Sequence, residues 1–212
     1  MLRLRAQILL ATVCCWTQAA AAQSREDRIE PSAKQMAKLQ ELTPAGVAAV
    51  VQVKDDDLEP TAVLDTSKAY FSNGAFTDRV RSDAFLRALV NKSTGAVTYQ
   101  VYENVRYNYV ARHFTSANIA TAAGPMTVPV QPISFKVDAC FATLCSYEED
   151  VGFVVPEPIL REIAASYKPS ESTPWRFRLK SSGLDWEDRL MPAEVAGLLQ
   201  AVEAYQSRHL KR

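Results

Sequence analysis

Histidine is the side chain best suited to take up and return a proton near neutral pH, and the chain has two, His113 and His209. His113 stands in Arg112-His113-Phe114-Thr115-Ser116, at the end of a tyrosine-rich segment. As a general base it would serve a hydroxyl such as that of Ser116, with an acid such as Asp138 orienting the ring. The patterns that accompany such chemistry, Gly-x-Ser-x-Gly and His-Glu-x-x-His, do not occur. A lone histidine on a strand is more often a structural or surface residue, so catalysis at His113 is the secondary expectation. His209, in a charged tail, is assigned no role.

The acidic runs offer a second kind of chemistry. Asp55, Asp56, Asp57 and Glu59 are oxygen donors of the type calcium takes, but they lack the alternating spacing and central glycine of an EF-hand loop. They read as solvated turn charges, and no metal or other cofactor is expected. Glu148, Glu149 and Asp150 follow one another in a strand-like segment, so they must point alternately to its two faces. One of them is then expected to be buried beside an arginine or lysine.

Aromatic and basic residues interleave in two places, as they do on protein-binding and sugar-stacking surfaces. Tyr99, Tyr102, Arg106, Tyr107, Tyr109 and Arg112 form one strip, and Trp175, Arg176, Phe177, Arg178 and Trp186 the other. The odd-numbered tyrosines share a period with valines and belong to the core by that reading. Tyr102, Arg106, Arg112, Trp175, Arg176 and Arg178 remain as candidate binding residues. Asn91-Lys92-Ser93 fits an N-glycosylation sequon, but a hairpin turn explains the same residues.

Cysteine usage depends on the N-terminus. Arg3 and Arg5, the apolar stretch Ala6–Trp16 and the small residues Ala19–Ala22 make a secretory signal peptide, residues 1–22, cleaved after Ala22. The rival reading is a retained anchor, weakened by Gln7, Thr12, Thr17, Gln18 and Gln23 within the uncharged stretch. Cleavage removes Cys14 and Cys15 and leaves Cys140 and Cys145, which in an oxidising compartment read as one disulfide across a hairpin tip. Closing so short a loop stabilises by only about 2 kcal/mol. The expected location is the periplasm or the cell exterior, with no stable membrane span once the signal is removed.

The elements that would position these residues follow from periodicity. Ser32 and Gln35 have capping-box spacing and open a helix that ends before Pro44. Gly46–Val53 is rich in valine and reads as a strand. Residues 85–91 and 97–102 read as strand, turn and strand about Gly95, with a helix from Ala84 to Val90 as the alternative for the first of them. The period-two pattern continues to Tyr109, with a bulge or bend expected at Glu103-Asn104 because one straight strand of that length is uncommon. Gly124–Pro132 has three prolines, which suggests an extended loop or sheet edge. Ile133–Cys140 and Cys145–Val155 make the disulfide hairpin. Helices are expected from Pro158 to Tyr167 and from Pro192 to Gln206, with Trp175–Lys180 and Trp186–Met191 as strands between them. Gly197 interrupts the last helix, which calls for a closely packed neighbour or a tolerated cost.

Strands that follow one another, with helices at the ends, define an α+β class: mainly antiparallel β-sheet or sandwich with a peripheral N-terminal helix and two C-terminal helices. The division is a signal at 1–22, a lead and helix at 23–44, and one β-rich domain at 45–212. The 212 residues are 48% hydrophobic and carry 24 basic against 24 acidic side chains. That balance leaves no basic excess for tracking nucleic-acid phosphates, and losing Arg3 and Arg5 tips it to the acidic side. The function expected is that of an exported, non-enzymatic protein that binds another protein, a glycan or a small ligand, an envelope protein or glycan being the partner classes in view. The alternative is a secreted hydrolase using His113.

Overall fold

The computed structural model describes residues 26–28, 30–70, 80–141 and 144–209, so the expected signal segment lies outside the described residues. The Ser32 side chain accepts the Gln35 N–H at 3.3 Å and the Gln35 side chain accepts the Ser32 N–H at 2.8 Å, the reciprocal cap that starts helix α1 (Ala33–Gln40). The next segment corrects the sequence reading. Pro44–Val50 is helix α2, opened by the Thr43 hydroxyl accepting the Gly46 N–H at 3.1 Å, and strand β2 is only Gln52–Lys54. A good cap, a proline in the first turn and several alanines outweigh the β-preference of the valines, and packing against the C-terminal helix holds the result.

The remaining elements are strands β1 (Glu26–Arg28), β3 (Thr61–Asp65), β4 (Val80–Asn91), β5 (Val97–Asn108), β6 (Ser116–Thr121), β7 (Gly124–Phe141), β8 (Leu144–Val154), β9 (Trp175–Lys180) and β10 (Asp185–Leu190), with helices α3 (Glu157–Ala165) and α4 (Pro192–His209). The sheet order is β1-β10-β9-β6-β7-β8-β5-β4-β3-β2, antiparallel throughout except where β1 lies parallel to β10. This is the α+β architecture expected. The β4–β5 hairpin turns at Gly95, whose φ of 75° suits glycine, and the Asn91 side chain accepts the Ser93 and Thr94 N–H groups there.

Strand β7 organises the sheet. Its first part, Gly124–Pro129, pairs with β6, and Val130–Phe141 pairs with β8. Pro125 and Pro129 therefore fall on a stretch paired on one side only, where a missing N–H is tolerated. The two half-sheets that β7 joins face each other. Phe153 of β8 meets Phe177 of β9 with ring centroids 5.2 Å apart. The Trp186 indole N–H donates to Glu103 at 3.1 Å, and the Ser82 hydroxyl donates to Asp188. Leu64, Leu86, Val101, Ile119 and Leu179 fill the space between, all fully buried. The expected break at Glu103-Asn104 is absent: β5 runs in unbroken register with β4 and β8, and Glu103 points into this core. Tyr109, assigned to the core by its odd position, is instead exposed just past the end of β5, with φ of 85°.

Helix α4 closes the core with Val195, Leu198, Leu199, Val202 and Tyr205, the stripe legible in the sequence. Gly197 has a packing reason. A Cβ there would lie 2.5 Å from Val47 Cβ and 2.9 Å from the Pro44 carbonyl oxygen, so the glycine is the notch that seats α2. Gly197→Ala is expected to destabilise the protein by about 1–3 kcal/mol through overpacking, despite alanine's better helix propensity, as read by urea denaturation.

At the start of α4 the buried Glu194 carboxylate accepts the Met191 N–H at 2.8 Å. Burial pushes its pKa from 4.5 to about 8. The folded chain thus holds a proton that the unfolded chain has released, and stability is expected to fall as pH rises from about 4.5 to about 8. The slope from this group is about 1.4 kcal/mol per pH unit. Glu194→Gln, which keeps the acceptor, should remove that part of the slope in denaturation curves recorded across this window.

Candidate functional site: the disulfide-tipped ribbon

The residues singled out from the sequence do not converge. Trp175 is buried, its indole N–H donating to the Ala120 carbonyl at 2.8 Å. Arg176 and Arg178 lie on the outer face of β9, and both pair with Glu187 of β10. Burial raises the Glu187 carboxyl, but the bonds from Arg178 and Arg176 outweigh it and hold the pKa below its ordinary value. Arg106 pairs with Glu148 at 3.0 Å, and Lys136 approaches the same carboxylate at 3.8 Å. Tyr102 is half-buried, stacked on Phe85 with centroids 4.7 Å apart, with the Arg87 guanidinium 4.1 Å from its ring. Burial first, and the neighbouring Asp150 second, push its pKa to about 12. Trp175 faces the core, and each of the others completes a cross-strand contact on the outer face of a half-sheet. The Asp55 run behaves as turn charge: Asp55 pairs with Lys92 at 2.6 Å and accepts the Tyr205 hydroxyl at 2.7 Å. No group of three or more His, Cys, Asp or Glu suited to a metal occurs among the described residues.

His113 and Arg112 belong to a different arrangement. Residues 109–115 cross from the end of β5 to β6, and this crossing is held by the buried Glu149 of β8. Glu149 gathers the Tyr107 hydroxyl, the His113 N–H at 2.9 Å and the Phe114 N–H at 3.3 Å. His113 has φ of 52°, and the left-handed turn points the two successive N–H groups at one carboxylate. Tyr107 also accepts the Arg112 N–H at 2.9 Å, while the buried Arg112 guanidinium lies 4.7 Å from the Tyr107 ring centre. Burial, then the bond to Glu149, raises the Tyr107 pKa, so the phenol stays a donor. The His113 imidazole is exposed and rests on Phe135, with centroids 4.8 Å apart.

That crossing braces one face of a ribbon formed by β7 beyond Val130 and by β8. Cys140 and Cys145 face each other across it and are disulfide-bonded, with Cα atoms 4.1 Å apart, as the spacing predicts. From the crossing outward the rings form a ladder. Tyr107 stacks on Tyr147 at 5.6 Å, Tyr147 on Phe135 at 5.8 Å, and Phe135 meets His113. The inner end of this ladder is buried and the outer end is not: Phe135 is 43% exposed, Val137 53%, Ile133 49% and Phe141 85%. Near the tip, Asn108, Tyr109, Ala139, Phe141, Cys145 and Ser146 line an open recess of about 250 Å³.

The outer edge of the ribbon carries unspent backbone groups. The Tyr109 N–H donates to the Cys145 carbonyl, so alternation turns the odd β8 residues toward β5 and the even ones toward β7. Their β7 partners Ser134, Lys136 and Ala139 spend their backbone groups on β8, and those of Phe135 and Val137 point outward. Among the described residues, β6 stops pairing at Pro129 and nothing pairs with the edge beyond Val130. Pro132, Lys136 and register shifts at Pro132/Ser134 and Val137/Ala139 interrupt this edge, the devices that discourage indiscriminate strand pairing.

Reading one sequence could not find this ribbon as a surface, because Ile133, Phe135 and Val137 look like ordinary strand residues. Their exposure follows from where β6 begins, Ser116 opposite Pro129, which leaves the rest of β7 without that neighbour. No protein-family model, curated protein or solved structure matches the chain. The fold is an α+β one, with a mainly antiparallel sheet and a disulfide-tipped ribbon. Removing the hydroxyl that links Glu149 to the crossing tests the brace. Tyr107→Phe is expected to cost about 1–3 kcal/mol, the range for a buried acceptor losing a donor, and to raise amide exchange at Arg112–Phe114 more than in β3 or α4.

Proposed function

We propose that this is an exported, non-enzymatic protein that binds another polypeptide through the apolar ribbon. The observation that carries the reading is the exposed pair Phe135 and Val137 on one face of a strand that, among the described residues, has an unpaired edge, with Ile133 and, beside an open recess, Phe141 exposed on the other face. Such side chains gain from leaving water, at about 25 cal/mol per Å² of apolar surface buried. The aromatic ladder beneath them means that Phe135 is already held in place before a partner arrives, which lowers the ordering cost of binding. The signal-like N-terminus and the cysteine pair suit an oxidising compartment.

A polypeptide fits this surface better than a glycan. Sugars stack on open aromatic faces ringed by hydrogen-bonding groups, and here Arg87 lies over Tyr102 and Arg112 over Tyr107. What stays open beside the Phe141 ring is aliphatic side chain and strand backbone, the features an extended segment of another chain engages. The hydrolase alternative gains no comparable support, since the described residues give the His113 imidazole no hydrogen-bonded hydroxyl or carboxylate.

Comparative capture tests the proposal. The secreted or periplasmic form and its Phe135→Ser/Val137→Ser variant, matched for fold by circular dichroism, are used as baits against an envelope fraction. Loss of specific captured proteins from the variant, at least tenfold by quantitative mass spectrometry, is the expected result. Equal recovery by the two baits would refute the ribbon as the binding surface.

A further inference from the structure

Two carboxyl groups meet in the driest part of the molecule. Glu103 of β5 and Asp188 of β10 come from opposite half-sheets, and both are buried. Glu103 Oε1 accepts the Trp186 indole N–H at 3.1 Å, while Oε2 is buried with no donor among the described residues, and the Glu103 carboxyl lies against that of Asp188. Asp188 in turn accepts the Ser82 hydroxyl and the Arg189 N–H at 2.8 Å. Every other charged or titratable group facing the pair is accounted for by element. Asp83 of β4 and Glu194 of α4 are acids, and Tyr70 lies near Asp188 and Glu194. Among the described residues the one cation whose charge reaches the pair is Arg189, whose guanidinium also pairs with Glu30 at 3.1 Å. Acids outnumber the cation, and two bare carboxylates in contact in the low-dielectric interior repel each other strongly.

We infer that Glu103 and Asp188 form a proton-dependent clasp between the two half-sheets, closed by one proton held between the carboxyls and released when that proton leaves to solvent. In the closed state the Glu103 carboxylic acid donates to the Asp188 carboxylate, which then has three donors, and Glu103 Oε2 is no longer without a partner. Burial and the facing carboxylate both raise the Glu103 pKa, and burial outweighs the donors to raise that of Asp188. Loss of the proton frees β10 from β4 and β5. Because β1 pairs with β10 and α4 follows it directly, this end of the sheet is the part that loosens. The clasp therefore favours the closed form in mildly acidic surroundings and loosens it as pH rises. It is a conformational device independent of the ribbon.

The test uses the Glu194→Gln protein, which removes the other raised carboxyl of this region, and the same protein carrying Glu103→Gln. Glutamine keeps an acceptor for Trp186 and supplies an N–H to Asp188 without a titrating proton. In Glu194→Gln, a protonated-carboxyl carbonyl stretch is expected in the infrared at pH 7. Opening of β10 by hydrogen exchange, corrected for the intrinsic rate, should rise by about tenfold per pH unit while one proton leaves on opening. Glu103→Gln should abolish both signals and leave β10 protection independent of pH. Absence of the carboxyl stretch at neutral pH in the Glu194→Gln protein overturns the inference without needing the second variant. Persistence of the pH slope in Glu103→Gln overturns it equally.

Discussion

One strand belongs to both halves of the sheet, and that sharing constrains nearly everything else. Because β7 pairs first with β6 and then with β8, β9 and β10 must fold over β4, β5 and β8 and not extend beside them. The overlap creates the core that Phe153, Phe177 and Trp186 fill. The same handover leaves the far part of β7 with one neighbour, so the ribbon is exposed for the reason that the core exists. The disulfide secures the ribbon's free end, where the fewest other contacts are available.

Buried acids are the second organising feature, and the protein satisfies them in three chemically different ways. Glu149 is given three donors and ties down the crossing that braces the ribbon. Glu187 is given two arginines, which keep it ionised. Glu194 and the Glu103–Asp188 pair are instead associated with protons, since among the described residues one cation, Arg189, stands near these three buried acids. Isolated buried charge is too costly to persist, so each acid marks a place where the fold has bound something to it. For two of the three solutions that something is part of the chain, and for the third it comes from solvent.

Much of the local structure was legible beforehand because it depends on neighbours in sequence. Ser32 and Gln35 cap α1, Asn91 and Gly95 turn the β4–β5 hairpin, and the stripe from Val195 to Tyr205 lies inward. The errors came where a distant partner decided the outcome. Gly46–Val53 looked like a strand, but Val47 fits the notch at Gly197. A break at Glu103-Asn104 is expected because one straight strand of that length is uncommon, yet β5 runs unbroken, paired along its length by β4 and β8, and Glu103 meets Asp188, 85 positions away by numbering. Tyr109 kept the odd-position pattern while the strand had already ended.

The sequence by itself determined the class of the fold, the hairpins, the caps and the cysteine pair, all set by short-range sterics, hydrogen bonding and periodicity. It also carried the expectation of export, in residues outside the described structure. Only the tertiary structure decided which acids are buried against which partners, and that Trp175, Arg112, Arg176 and Arg178 are engaged within the fold while Phe135 and Val137 are exposed. Exposure and pairing depend on where β6 begins and how β7 passes from β6 to β8, and those are properties of strands brought together across the whole chain.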